Sequence, residues 1–398
     1  MGFLSKTLLP DGTEIPGTNF DYNYLQHRKV DVVSSALDFI LPFEKYKITA
    51  GAKVSFTNTR NGINYDTSDP TLVQDDYFRY KEQIYALYAD YSREFSERFS
   101  MQLGLRMEHT RTTGISEAKD TEDKHDYTRL FPTVYLLYSP TDGHALNFSF
   151  SNRISRPSQN MVNPFPFYQN KYTYACGRED LKPSYTYNAE LGYTLKNNFN
   201  VSAYYSYSDD VFFQVVDLDA ETNVTSFLWE NFMQTHAFGL NNSYTFRTKW
   251  LQAYAQHGVS YRRTTSSAAT TSPEEKGWAY DASLRNTFFF NEKKTLLATL
   301  SGSYSSRQYQ GIYLMSPTYS VSAGMLYRLL DNKLNLSLNV NNLFVSHSKL
   351  ETMSNGLKII ADNQFSFTSF RIGVSYTFGG DIRSKGQRNS NEDIQRRL

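Results

Sequence analysis

Arg106 and Glu108 lie two residues apart, a spacing that puts both side chains on one face of an extended strand. An opposed charge pair facing an enclosed polar space can grip an inserted segment and change partners when that segment moves. Arg285 and Arg371 occupy the same phase of their own alternating runs, and the same reading extends to them. The plainer reading, preferred for any single one of these residues, is a hydrated polar wall, because structural ion pairs outnumber functional ones. A second constellation lies between Arg156 and Pro183. There Phe165, Phe167, Tyr168, Tyr172 and Tyr174 stand among Asn160, Asn163, Gln169 and Asn170. Aromatic faces beside amides suit carbohydrate or other polar organic ligands, through stacking and paired hydrogen bonds. A segment that packs on itself would use the same residues, and that reading is favoured. A third run, ISEAKDTEDKHD, carries Glu117, Asp120, Glu122 and Asp123 near His125, but lacks the spacing and turn glycine of a calcium loop. It reads as a solvated loop.

Catalysis finds little support. No G-x-S-x-G elbow, H-E-x-x-H pair or phosphate-binding glycine loop occurs, and the chain is read as a non-enzyme without cofactor. The single Cys176 excludes an internal disulfide framework and any multi-cysteine metal site. Lys and Arg number 41 against 40 Asp and Glu, so no general basic field invites nucleic acid.

The elements that would position these residues are strands. Aromatics make up 16% of the 398 residues, chiefly 31 Tyr and 28 Phe, and Pro numbers only 12. That enrichment fits pleated, half-buried surfaces. Ile48, Ala50, Ala52, Val54 and Phe56 alternate with Lys47, Thr49, Gly51, Lys53 and Ser55. Met101, Leu103, Leu105 and Met107 alternate with Gln102, Gly104, Arg106 and Glu108, and the pattern returns at Trp278–Arg285 and Ser369–Phe378. Such alternation marks strands with a different solvent on each face. From Ile84 to Tyr91 both faces are apolar, and the pattern does not say which points outward. A mean hydropathy of -0.54 and the lack of a long apolar run argue against spanning helices. They do not argue against a spanning barrel, whose strands alternate apolar toward lipid and polar toward the lumen.

Connections alternate as well. Short turns at PFEKY, SREFSER, SPTDGH, LKNNFN, FRTKW, FNEKK and LLDNK separate longer polar segments, among them NGINYDTSDPTLVQD, TTSSAATTSPEEKG and SHSKLETMSNGLK. Short turns at one end and long loops at the other is the arrangement of outer-membrane barrels, with the short turns periplasmic. Hairpin counting predicts about fifteen strands, from a first strand near Lys29 to Leu41 through a last one ending at Phe378. An odd count, and an opening MGFLSKTLLPDG without a secretion signal, lead to the expectation that the sequence starts partway through a longer protein.

Several segments resemble the outer-membrane β-barrel family of Bacteroidetes-type TonB-dependent receptors. Gly104, Leu105, Arg106, Glu108 and Thr110 match a Gly-Leu-Arg-x-Glu-x-Thr pattern, and LFPTVYLLYSP resembles the strand after it. RISRPSQNMVNPF resembles the Arg-Pro-Ser and Asn-Pro-Phe pair that opens a long external segment. GREDLKP, from Gly177 to Pro183, keeps only the second half of a Gly-Asn-Pro-x-Leu-x-Pro motif, and SFRIGVSYTFGG resembles a closing strand. The resemblance implies a receptor that imports a scarce nutrient such as a siderophore, glycan, peptide or cobalamin. It also implies a signal peptide, a plug domain, the TonB system and a 22-stranded plugged barrel, and raises a surface lipoprotein as a partner.

The expected fold is therefore all-β, an antiparallel transmembrane barrel portion of about 15 of 22 strands. Residues 1–28 are expected as an external loop or cut edge, 29–378 as the barrel in outer-membrane lipid, and 379–398 as a polar periplasmic tail. Arg106, Glu108, Arg285 and Arg371 are expected on the lumenal wall toward a plug. Phe165, Phe167, Tyr168, Tyr172 and Tyr174 are candidates for ligand contact in an external loop. Alternatives are a passive or non-transporting barrel, such as a pore or adhesin, and a secreted β-rich binding protein.

Overall fold

The computed structural model describes residues 2–5, 12, 13, 15, 20–67, 75–219, 221–363, 367–378 and 397. Its strands are β1 (Gly2–Ser5), β2 (Phe20–Pro42), β3 (Tyr46–Thr67), β4 (Asp76–Ser96), β5 (Phe99–Ser116), β6 (Thr121–Tyr138) and β7 (His144–Ser155). After the short helix α1 (Gln159–Val162) follow β8 (Phe167–Asn170), β9 (Thr173–Cys176), β10 (Ser184–Leu195), β11 (Phe199–Leu218) and β12 (Thr225–Arg247). The chain continues through β13 (Leu251–Ser266), β14 (Glu274–Phe289), β15 (Leu296–Ser305), β16 (Gln308–Gln310) and β17 (Tyr313–Met315). It ends with β18 (Thr318–Leu329), β19 (Leu334–Val345), β20 (Ser348–Ser354), β21 (Leu357–Asn363) and β22 (Ser369–Tyr376).

The main sheet has 18 strands, of which β1, β8 and β9 are short additions. The other fifteen form one antiparallel meander, each strand paired with the next. The sheet curves without closing: β2 pairs with β3 and briefly β1, and β22 pairs with β19. Every short turn read from the sequence falls between consecutive meander strands. Tight turns suit strands that must reverse at once.

Alternation sorts the two faces. Leu37, Phe39, Leu87, Leu105, Met107, Leu240, Trp278, Leu284, Leu300 and Met325 stand exposed on the convex side, an apolar belt facing outward. Most of their strand neighbours on the concave side are Ser, Thr, Asn, Gly and charged residues, with Ala36, Ile40, Ala86, Tyr88, Ala279 and Leu326 as the exceptions. The segment that the pattern left open is settled by its ladder to β5: Tyr85 and Leu87 face outward, while Ile84 and Ala86 are buried on the concave side. Gly104 lies where β4, β5 and β6 pack most tightly, because a Cβ there would collide with Thr133 Oγ1 and Asp90 Oδ1. The first glycine of the family pattern thus has a steric reason. Among the described residues no helix is long and apolar enough to cross a membrane.

Two boundaries differ from expectation. The first meander strand begins at Phe20, not near Lys29, because residues 22–28 continue the ladder against β3 and residues 20–23 pair with β1. The ISEAKDTEDKHD run is not a loop: β5 and β6 stay paired to Ser116 and Thr121, and Asp120 takes the left-handed backbone (φ 51) that lets the turn close. Most of the expected periplasmic tail lies outside the described residues. Its one described member, Arg397, contacts Glu82 on the concave wall.

Candidate functional site

The segment between β7 and β10 folds inward. Val162 and Phe165 are buried with Ile63, Phe78 and Leu181, and Tyr24, Tyr65, Tyr80, Phe212 and Trp229 pack around them. Apolar side chains on a concave face are unusual for a lumen, and here they are explained by this insertion. The Tyr22 and Tyr65 hydroxyls both donate to the Pro166 carbonyl, each at 3.1 Å. Gly177 closes the fold-back, since a Cβ there would strike the Met161 and Asn163 carbonyls. Arg178 N–H donates to the Met161 carbonyl at 2.7 Å. Burial pushes the Cys176 thiol pKa up and keeps it protonated.

Against α1 lies a cluster of buried charge. Arg106 Nε donates to Glu108 Oε1 at 2.5 Å. Arg156 Nη2 donates to Glu108 Oε2 at 2.6 Å and to Thr110 Oγ1 at 3.1 Å. Arg397 forks onto both oxygens of Glu82, each at 2.9 Å. Side-chain exposures are 5% for Glu82, 8% for Glu108 and 9% for Arg156, so these groups are nearly dry. Buried pairs add little net stability, but removing one partner strands the other at a cost of about 3–5 kcal/mol. The cluster therefore holds its members in register more than it stabilises the fold.

A second pack lies beside the first. The small sheet β16-β17-β20-β21 rests on the outer ends of β11 and β12. Ile312 and Tyr313 are buried against Val215, Val216, Phe232 and Met233. The Tyr313 hydroxyl donates to the Gln214 carbonyl at 2.8 Å, and burial pushes its pKa up to about 12. Asn355 Nδ2 reaches Asp217 Oδ1 at 2.9 Å. Phe213 touches both packs, its ring 6.4 Å from Trp229 and 5.3 Å from Tyr313.

The residues singled out from sequence separate into distinct settings. Arg106 and Glu108 meet on the concave wall. Arg285 and Arg371 also lie on inward phases of β14 and β22, opposite Ser301 and Asn339, but exposed and far along the meander from the cluster. Phe165 is 1% exposed and presents no face to solvent. Phe167 packs edge-on against Tyr24, and Tyr168 lies tilted between Tyr22 and Tyr174, with ring centroids 5.4 and 5.2 Å apart. Tyr172 alone of the five is well exposed, at 49%. The sequence reading missed Glu82, Arg156 and Arg397. The signal for Glu82 was present, an acid in phase with the buried Ile84 and Ala86, and Arg156 opens the Arg-Pro-Ser motif.

A family model described as "Outer membrane protein beta-barrel family" matches residues 3–376, nearly the whole chain. The chain belongs to this family. No curated protein matches it by sequence. Among solved structures, the copper transporter OprC is similar with a TM-score of 0.62 and 13% identity, over 90% of this chain and 61% of that one. The ferric yersiniabactin uptake receptor FyuA from Yersinia pestis gives 0.61 and 16%, over 90% and 56%. The FpvAI-pyocin S2 complex gives 0.57 and 16%, over 94% and 51%. At such identities the likeness is one of fold, and the chain spans little more than half the length of these proteins. The family and the outward apolar belt place the protein in the outer membrane as a multi-strand β-barrel. A secreted, soluble binding protein is thereby set aside. The family's structural neighbours are transport receptors, not enzymes.

Proposed function

We propose that this outer-membrane barrel is the membrane-spanning wall of a TonB-dependent receptor for energised uptake of a scarce nutrient. The observation that carries the reading is the concave wall. It holds the inserted segment through nearly dry Glu82, Glu108 and Arg156, with the partly exposed Arg106 beside them, where a passive pore needs only a hydrated lining. A plug domain gripped by such a wall, and pulled by the TonB system, would couple transport to energy. Ligand selection would fall to the external face, where Tyr172 and the neighbouring amides are displayed and where a surface lipoprotein could dock.

The test is uptake in the native host. Cells lacking the gene are compared with parent cells on ferric siderophores, glycans, peptides and cobalamin, each as limiting nutrient, with and without a protonophore. One nutrient should be lost with the gene and also lost when the proton gradient collapses. Uptake that survives the protonophore would point to the passive-pore alternative. No change across the panel would remove the transport reading.

A further inference from the structure

The outward face of β2–β6 changes character where the apolar belt ends. Val33, Phe56, Tyr85 and Met107 mark its last exposed apolar positions away from the short turns. Beyond them the outward phase sets Lys29, Arg60 and Arg79 directly opposite one another on β2, β3 and β4. Lys81 lies one outward position nearer the belt, and Arg111 and Lys124 continue the band on β5 and β6. Like charges in direct register repel and cost stability. The acids of the band are already taken: Asp31 by Arg60 at 3.2 Å, Asp126 by Arg111 at 2.8 Å and Glu122 by Lys124 at 2.8 Å. Lys29, Arg79 and Lys81 are left without an ion-pair partner among the described residues. Arg79 Nε is moreover shielded from solvent and makes no hydrogen bond there. A similar row elsewhere is neutralised, since Arg263 and Lys276 face each other on β13 and β14 and Glu274 binds both.

We propose that the Lys29–Arg60–Arg79 row, with Lys81, docks the phosphates of an anionic lipid headgroup in the leaflet at that end of the barrel. The acyl chains of the same lipid would lie on the belt beside it, so one molecule meets both the charge and the apolar surface. From Lys29 to Arg79 the row crosses two strand spacings, about 10 Å, which suits a headgroup with more than one phosphate. Guanidinium forks match phosphate oxygens, and lysine adds point charge. With the short turns periplasmic, as in bacterial barrels, the leaflet is the outer one. The proposal rests on the membrane placement and not on the uptake reading.

The test uses the purified whole protein in a neutral detergent, titrated with diphosphoryl lipid A, with the same lipid stripped of its phosphates, and with inorganic phosphate. Native mass spectrometry reads what stays bound. Diphosphoryl lipid A should be retained, and Lys29→Gln, Arg79→Gln and Lys81→Gln together should weaken it about tenfold or more. The charge-keeping set Lys29→Arg, Arg79→Lys and Lys81→Arg should restore binding. Arg263→Gln with Lys276→Gln, which removes cations that already have a partner, should leave it unchanged. Heat-modifiable migration on gels confirms that each variant is folded. Undiminished binding by the folded triple variant overturns the proposal, as does equal retention of the dephosphorylated lipid or an equal loss in the Arg263 and Lys276 variant. Inorganic phosphate held as tightly as the lipid would make this a site for free phosphate and overturn it too.

Discussion

The concave wall of β3–β7 and that of β13–β22 share one fold and one alternation, yet they are different surfaces. The first carries nearly dry Glu82 and Glu108 paired to Arg156 at the start of the inserted segment, with the partly exposed Arg106 also on Glu108. The second is lined by serine, asparagine and glycine, with hydroxyl pairs such as Ser303 to Ser320 at 2.9 Å and exposed arginines at 285 and 371. Polar small residues leave a wall hydrated and indifferent to what lies beside it, whereas desolvated charge demands a partner. A lumenal arginine therefore means little by its phase alone. What separates Arg106 from Arg285 is the burial of the acid it faces.

The comparison can be broken most directly at Arg156. Arg156→Ala should destabilise the folded barrel by about 3–5 kcal/mol, because Glu108 loses its drier partner while still buried, as read from urea unfolding in lipid. Phe165→Ala should cost a similar or slightly smaller amount, about 3 kcal/mol, by opening a cavity under the inserted segment. Faster protease cleavage between residues 156 and 183 would report it, while Tyr172→Ala should leave cleavage unchanged. Adjacent residues on β14 sharpen the contrast of faces. Leu284→Arg should cost about 2–4 kcal/mol in the lipid belt. Arg285→Ala, one residue on but facing the hydrated wall, should fall within about 0.5 kcal/mol. If Arg285→Ala proves as costly as Arg156→Ala, the distinction between the walls is wrong.

The smallest effect is electrostatic and external. Lys358 lies 2.9 Å from Glu351, and its hydrogen bond holds the Glu351 carboxyl below the usual range, with Arg307 at 3.3 Å adding attraction. A lowered folded pKa means that the contribution is present above the unfolded value and is lost as pH falls through the lower, folded one. Hydrogen exchange in the β20–β21 hairpin should therefore quicken slightly on acidification through that window, and salt should shrink the difference. Lys358→Ala should reduce the dependence to the smaller part that Arg307 sustains.

Much of this was legible in the sequence, for a reason specific to barrels. Two solvents impose a period of two on every strand, so Leu105, Arg106, Met107 and Glu108 declare their sides without tertiary information. Ile84–Tyr91 escaped because the inserted segment buries apolar residues on the lumenal side too, erasing the contrast between faces. The ends of the longest hairpins were misjudged where strands stay paired beyond the alternating apolar stretch. Polar residues such as Asp123 and Lys124 read as loop, although ladder hydrogen bonds hold them in β6. Glu82 stands on β4 and Arg156 just beyond the end of β7, both with unremarkable neighbours, and only the fold-back at α1 makes them one site.

The nearest-neighbour meander has a consequence in time as well as in space. Each strand zips onto the one just before it, so most ladders require the closure of only a short turn, and such local contacts form early. The locks at Pro166 are the opposite case. Tyr22 and Pro166 are 144 residues apart in sequence and Tyr65 and Pro166 are 101 apart, and neither contact can form until the intervening hairpins are in place. Refolding into lipid should thus show a prompt gain of strand content, followed by a slower phase in which the 156–183 segment seats. Substitution at Tyr22 should change the second phase and spare the first.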